Sequence, residues 1–206
     1  MSLTVATSNI MPNDLEFMVL SNKDLPPEFQ GYKVRRDCIL TNEMLAEHGF
    51  NGASAVRFQN AGRITGYMRD FGLTPQMEVS DGSNFVAATV AHLFETPESV
   101  SGWMNNIFLK DFQENIGNSI GQGHQLISIK KLEPRGFFDE AVAIKALQGG
   151  AGPGGLLSST VIDFRVGRIL GVAYVGSVGD HERFDLAREL AMSLEKRIVR
   201  VVLGAG

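Results

Sequence analysis

The sequence predicts an α+β fold in which a mostly antiparallel sheet of about six or seven strands is sandwiched between helices, and three observations carry this expectation. The first is a hairpin, Ser158 to Arg165 and Arg168 to Val175, around Val166-Gly167, where glycine supplies the positive φ of a tight turn. In its second strand both alternating sets are apolar, Ile169, Gly171, Ala173 and Val175 against Leu170, Val172 and Tyr174, so the hairpin should be covered on both faces. Finally, Ala187, Leu190, Ala191, Leu194, Ile198 and Val201 recur at helical spacing from Arg183 onward, with Arg188, Glu189, Glu195, Lys196 and Arg197 turned away. This helix is expected to pack over Gly171 and Ala173, whose small side chains permit close approach.

The remaining elements follow in chain order. Residues 1–24 read as a flexible or weakly ordered arm with a short strand over Leu15, Phe17 and Val19, ended by Ser21-Asn22 and Pro26-Pro27. Residues 25–206 then form one domain. Thr41 caps a short helix with Met44, Leu45 and His48 on one side, stopped by Gly49. Ala53 to Asn60 and Arg63 to Phe71 read as a hairpin around Ala61-Gly62, since Val56 and Phe58 alternate with Arg57 and Gln59. Phe85 to Phe94 is a strand. Thr96-Pro97-Glu98 starts a helix running to about Ile116, with cap, proline and acid in the expected order, and with an apolar stripe of Val100, Trp103, Met104, Ile107, Phe108 and Phe112. Gln125 to Leu132 and Asp139 to Gln148 are strands, and short turns between neighbours favour antiparallel pairing.

Composition narrows the function. The chain has 206 residues, enough to bury a core without staples, and its 19 Lys+Arg are dispersed against 23 Asp+Glu, which leaves no electrostatic footprint for nucleic acid. Cys38 is the single cysteine, so an internal disulfide and a cysteine-based zinc cluster are excluded. No run reaches the ~18 apolar residues of a membrane span. The polar lead Thr4, Thr7, Ser8, Asn9 and Asn13 fits either the segment after a removed export or lipoprotein signal, with a lipid anchor upstream, or a native cytoplasmic start.

Candidate chemistry is sparse. Gly149 to Gly155 lacks the lysine and following helix of a phosphate loop and reads as a hairpin loop. His48, His92, His124 and His181 show no ligand spacing, so neither a metal nor a cofactor is expected; His92 reads as a strand histidine, and His181 as adjoining a helix capped by Asp180. Cys38 follows Arg35-Arg36-Asp37, yet beside Ile39 and Leu40 it reads as a small apolar residue. Asp139 and Glu140, as strand neighbours, should point to opposite faces and not converge. The one polar face of interest alternates Arg63, Thr65, Tyr67 and Arg69, two cations around an aromatic, which suits a ligand or partner surface; ion pairing of both arginines is the competing reading.

Gly66-Tyr67-Met68-Arg69-Asp70-Phe71, the Ala87 to Phe94 strand leading into Thr96-Pro97-Glu98, Phe138-Asp139-Glu140-Ala141 and Phe164-Arg165-Val166-Gly167 together resemble the PsbP-like α/β/α sandwiches. That group includes the Mog-type factors, bacterial secreted proteins and Lpq-type lipoproteins, and kinase sensor-like domains. The resemblance implies a non-catalytic binding or assembly module, extracytoplasmic, with a protein partner or a small apolar ligand between sheet and helix. No functional residue is carried over by it. The alternative is a small cytoplasmic hydrolase or thiol enzyme using Cys38 or a histidine.

Overall fold

A computed structural model describes residues 3–120, 123–150 and 155–204. Eight strands, β1 (Lys33–Leu40), β2 (Arg63–Gly72), β3 (Asn84–Phe94), β4 (Ser119–Ile120), β5 (His124–Leu132), β6 (Ala141–Gly150), β7 (Leu156–Val166) and β8 (Ile169–Val178), form one sheet. The order is β1-β2-β3-β8-β7-β6-β5-β4, every pairing is antiparallel, and the apolar hairpin β7–β8 lies at the centre as expected. The sheet therefore has eight strands where about six or seven were expected.

One face is closed by α7 (Phe184–Val202) together with the N-terminal arm. Ala187, Leu190, Ala191, Leu194 and Ile198 are fully buried against Ala143, Ile162, Phe164, Ala173 and Val175. Small residues do allow the close approach at Ala173, but the space at Gly171 belongs to a neighbour: a Cβ there would strike the ring of Phe164, its cross-strand partner. The turn glycine Gly167 has φ +57° as its position demands. A side chain there would also collide with Thr7 of the arm.

The arm departs from expectation. Leu15–Met18 form a short helix, α2, following α1 (Leu3–Ala6), and not a strand. Leu15, Met18, Val19 and Leu20 are buried in the same core as α7. Arg168, in the β7–β8 turn, donates from Nε to Thr7 O (2.9 Å) and from Nη2 to Ile10 O (2.7 Å), so the arm is stitched to the centre of the sheet. A segment that buries this much apolar surface is part of the core, which local composition could not reveal.

The opposite face carries α3 (Asn42–Glu47), α4 (Ala55–Asn60) and a long rod made of α5 (Pro97–Trp103), a π-helical turn over Met104–Leu109, and α6 (Lys110–Glu114). Thr41 Oγ1 accepts from Met44 N and Thr96 Oγ1 from Ser99 N, so both predicted caps operate. Ala55–Asn60 is a helix where a strand was expected. Ser54 Oγ accepts from Arg57 N, and Phe58 alone turns inward while Val56 stays exposed, so period-two alternation over so short a stretch was misleading. At α7 the expected Asp180 cap is absent: Asp180 pairs with Lys145, and the first turn is tied to the sheet by Arg183 N donating to Thr160 Oγ1 (3.0 Å).

Candidate functional site

The four-residue face expected on β2 is split by a bulge. β2 skips from Arg63↔Phe94 to Thr65↔Leu93, and the extra residue, Ile64, reverses the alternation. Thr65, Tyr67 and Arg69 remain on the α7 side, half-buried, whereas Arg63 swings to the face beneath α3 and α4 and is 1% exposed. Arg69 donates from Nη1 to Leu20 O (3.0 Å) and pairs with Asp37 (3.0 Å), holding arm and β1 together. Burial and the adjacent Asp37 raise the Tyr67 phenol above its ordinary value.

Arg63 instead builds a closed polar knot. Its Nε donates to His92 Nδ1 (3.1 Å), Nη1 to Asn42 Oδ1 (2.5 Å) and Nη2 to Leu40 O (2.7 Å), and no ion pair joins it among the described residues. Burial pulls the guanidinium down to about 10, opposed by Glu43, and burial plus Arg63 hold His92 well below the usual histidine range. His92 is thus a neutral acceptor for a buried cation. Gly66 makes the room: a Cβ there would sit 2.6 Å from His92 Nδ1 and 2.8 Å from Arg63 Nη2.

Beside this knot an apolar groove of about 170 Å³ opens between the α3–α4 hairpin and the π-helical turn. Leu45, Phe50, Phe58, Trp103, Ile107 and Phe108 line it, with His48 and Asp111 at polar positions. The extra residue of a π turn rotates the helix that follows, and Ile107 and Phe108, adjacent in sequence, both reach the groove. Edge-to-face rings fix its walls: Phe58 on Trp103 (5.0 Å), Phe50 on Phe112 (5.0 Å), and Phe108 on Phe112 (5.3 Å). Arg57 clamps Asp111 with two hydrogen bonds, Nη1 to Oδ2 (2.7 Å) and Nη2 to Oδ1 (2.6 Å), fastening α4 to α6. The expected apolar stripe of the long helix supplies one wall. The other is α4, invisible as long as Ala53 to Asn60 is read as a strand; Ser54 ahead of Ala55 was the signal.

The remaining candidates lie apart. Cys38 packs with Met44, Leu45 and Val172 around Leu40, Met68 and Val90. His181 faces Asp81 at 3.0 Å, and Ser158 Oγ holds the loop through Gly179 O and His181 O. Asp139 and Glu140 converge after all, both on Arg165 (2.7 and 3.8 Å), because they precede β6 in a turn where strand alternation does not apply. Ala151 to Gly154 of the glycine-rich loop lie outside the described residues. Sequence reasoning missed Asp163, a 2%-exposed carboxyl on β7 between Val142 and Val172, with Oδ1 unpartnered; burial drives it well above the ordinary carboxyl range. Among the described residues no three metal-ligating side chains cluster, and no helix is long and apolar enough to cross a membrane.

No family model and no curated protein matches the sequence. Among solved structures, the extracellular domain of PknH from Mycobacterium tuberculosis is similar with a TM-score of 0.62 at 8% identity, covering 93% of this chain and 97% of that one. An uncharacterised protein from Mycobacterium smegmatis, the Rv0999 ortholog, aligns at a TM-score of 0.45 and 12% identity over 87% and 92% of the two chains. The first likeness is one of fold.

Proposed function

We propose that this chain is a non-catalytic, extracytoplasmic binding domain that takes a small apolar group into the groove between α3–α4 and the π-helical turn. The observation that carries the reading is the groove itself: an aromatic-walled space of about 170 Å³, close to the ~150 Å³ cavity that holds a benzene ring. A whole drug-sized ligand needs about 300 Å³ or more. The occupant is therefore one ring or short alkyl group, either a small apolar molecule or the anchoring side chain of a protein partner. The fold likeness to the extracellular domain of PknH supports the extracytoplasmic placement, and the PsbP-like resemblance around Tyr67, Thr96 and Phe164 belongs to the same proposal. Against the thiol-enzyme alternative stand the apolar neighbours of Cys38 and the engagement of His92 by Arg63.

Trp103 is the only tryptophan, and it lines the groove, so its fluorescence reports occupancy directly. Titration with bromobenzene should quench Trp103 saturably through the heavy atom, and Ala53→Phe, which fills the groove from α4's leading loop, should abolish that saturation while leaving the fold intact by circular dichroism. Linear, non-saturating quenching in the parent, or equal saturation in the filled variant, refutes the groove as a ligand site.

A further inference from the structure

On the opposite side of the sheet, where the arm crosses the C-terminal half of α7, a second recess of about 180 Å³ is lined by Leu20, Asp24, Ser193, Lys196, Arg197 and Arg200. Positions 193, 196, 197 and 200 fall at helical i, i+3, i+4 and i+7, so one hydroxyl and three cations share a single stripe of the helix. This concentration of positive charge runs against a chain whose net charge is −4. Arg197 is fixed in place, its Nε donating to Phe17 O (2.8 Å) and its Nη1 lying 3.8 Å from Asp24. Asp24, the one acid of the recess, is already occupied: its Oδ2 accepts from Ser21 N (3.0 Å) and Ser21 Oγ (2.6 Å). Lys196 and Arg200 form no ion pair or hydrogen bond among the described residues. Cations in a last helical turn also answer the negative end of the helix dipole. That accounts for Arg200, but Lys196 stands six residues before the helix end at Val202, beyond the reach of the effect.

We propose that this recess binds a phosphate-class oxyanion, with Lys196 and Arg200 as the charged donors, Ser193 Oγ as a neutral donor, and Arg197 as the anchored wall. Guanidinium forks and an ammonium suit the oxygens of an oxyanion, and a cluster of cations favours the near-double negative charge of a phosphate over the single charge of a carboxylate. Because the recess is formed by the arm, the site exists only while the arm is docked. The phosphate can be free in solution or the headgroup of an anionic lipid, and the two sources share this chemistry.

The test is calorimetric titration of the full chain with inorganic phosphate against chloride at matched ionic strength, and of the Lys196→Ala/Arg200→Ala double variant, with far-UV circular dichroism confirming that α7 is intact. Arg197 is left alone because it holds the arm. Saturable phosphate binding weakened at least about tenfold in the variant is expected, the loss of charged hydrogen bonds worth about 1.5 kcal/mol or more. Equal heats for phosphate and chloride, or undiminished binding in the double variant, overturn the proposal. In a second arm, phosphatidylglycerol vesicles are compared with phosphatidylcholine vesicles: selective binding that free phosphate competes away assigns the headgroup to this recess, and selective binding that survives the double substitution overturns it as the headgroup site.

Discussion

The two faces of the sheet are covered by helices of different character. α7 is a regular helix of 19 residues whose alanines and leucines lie flat on Ala173 and Ile162, and the arm seals its flank. The rod on the other face is interrupted by a π turn, packs through large rings, and leaves a groove beside a closed Arg63–His92 knot and a buried carboxyl with an unpartnered oxygen. Small side chains at regular spacing give a dense interface. Here the rings and the extra helical residue leave a gap, and a gap lined by rigid rings suits a small apolar group.

The largest expected effect tests whether the α7 face carries the stability. Leu194→Ala should cost about 2 to 5 kcal/mol in chemical denaturation, whereas Ile107→Ala, on the open wall of the groove, should cost about 1 kcal/mol, the centre of the range for point changes. Equal losses would erase the distinction between a sealed face and an open one.

Asp163 should show the other face to be held below its attainable stability. Its folded pKa is raised, so the stability associated with its protonated form is fully present below the unfolded value of 3.8 and is lost as pH rises from there through the folded value. Asp163→Val, of similar shape, should therefore raise stability by about 1 to 3 kcal/mol at neutral pH, the usual cost of an unsatisfied buried polar group, and should gain less in acid. Denaturation midpoints of parent and variant across pH decide this; a gain independent of pH would mean that burial does not raise the Asp163 carboxyl in the folded state.

A smaller loss, about 1 to 3 kcal/mol, is expected for Gly66→Ala, whose added methyl overpacks the Arg63–His92 contact. Nuclear magnetic resonance of the His92 ring should report its displacement, and an unmoved ring would mean that the knot has slack. Smallest of all is Arg69→Ala. Its partner Asp37 is 39% exposed, and such pairs are worth about 0 to 1 kcal/mol, so the melting temperature should barely move. A large drop would show that the hydrogen bond to Leu20 O, and with it the docking of the arm, matters more than the ion pair.

Residue pattern alone determined the architecture wherever periodicity was long or capping was explicit. The two-sided hairpin became the sheet centre, the helix beginning near Arg183 became α7, and Thr41 and Thr96 capped the helices they were expected to cap. Short segments were decided by tertiary structure. Six residues from Ala55 to Asn60 fit either period, and packing of Phe58 against Trp103 selected the helix; β1 was recognisable only as the partner of β2. One bulged residue, Ile64, separated Arg63 from Thr65, Tyr67 and Arg69 and turned an expected surface into a buried knot. Alternation fixes a face only while register is kept, and register depends on strands far away in sequence. The groove and the cationic recess belong to the same category, since each is bounded by two segments whose meeting no local pattern encodes: α4 with the π turn, and the arm with α7.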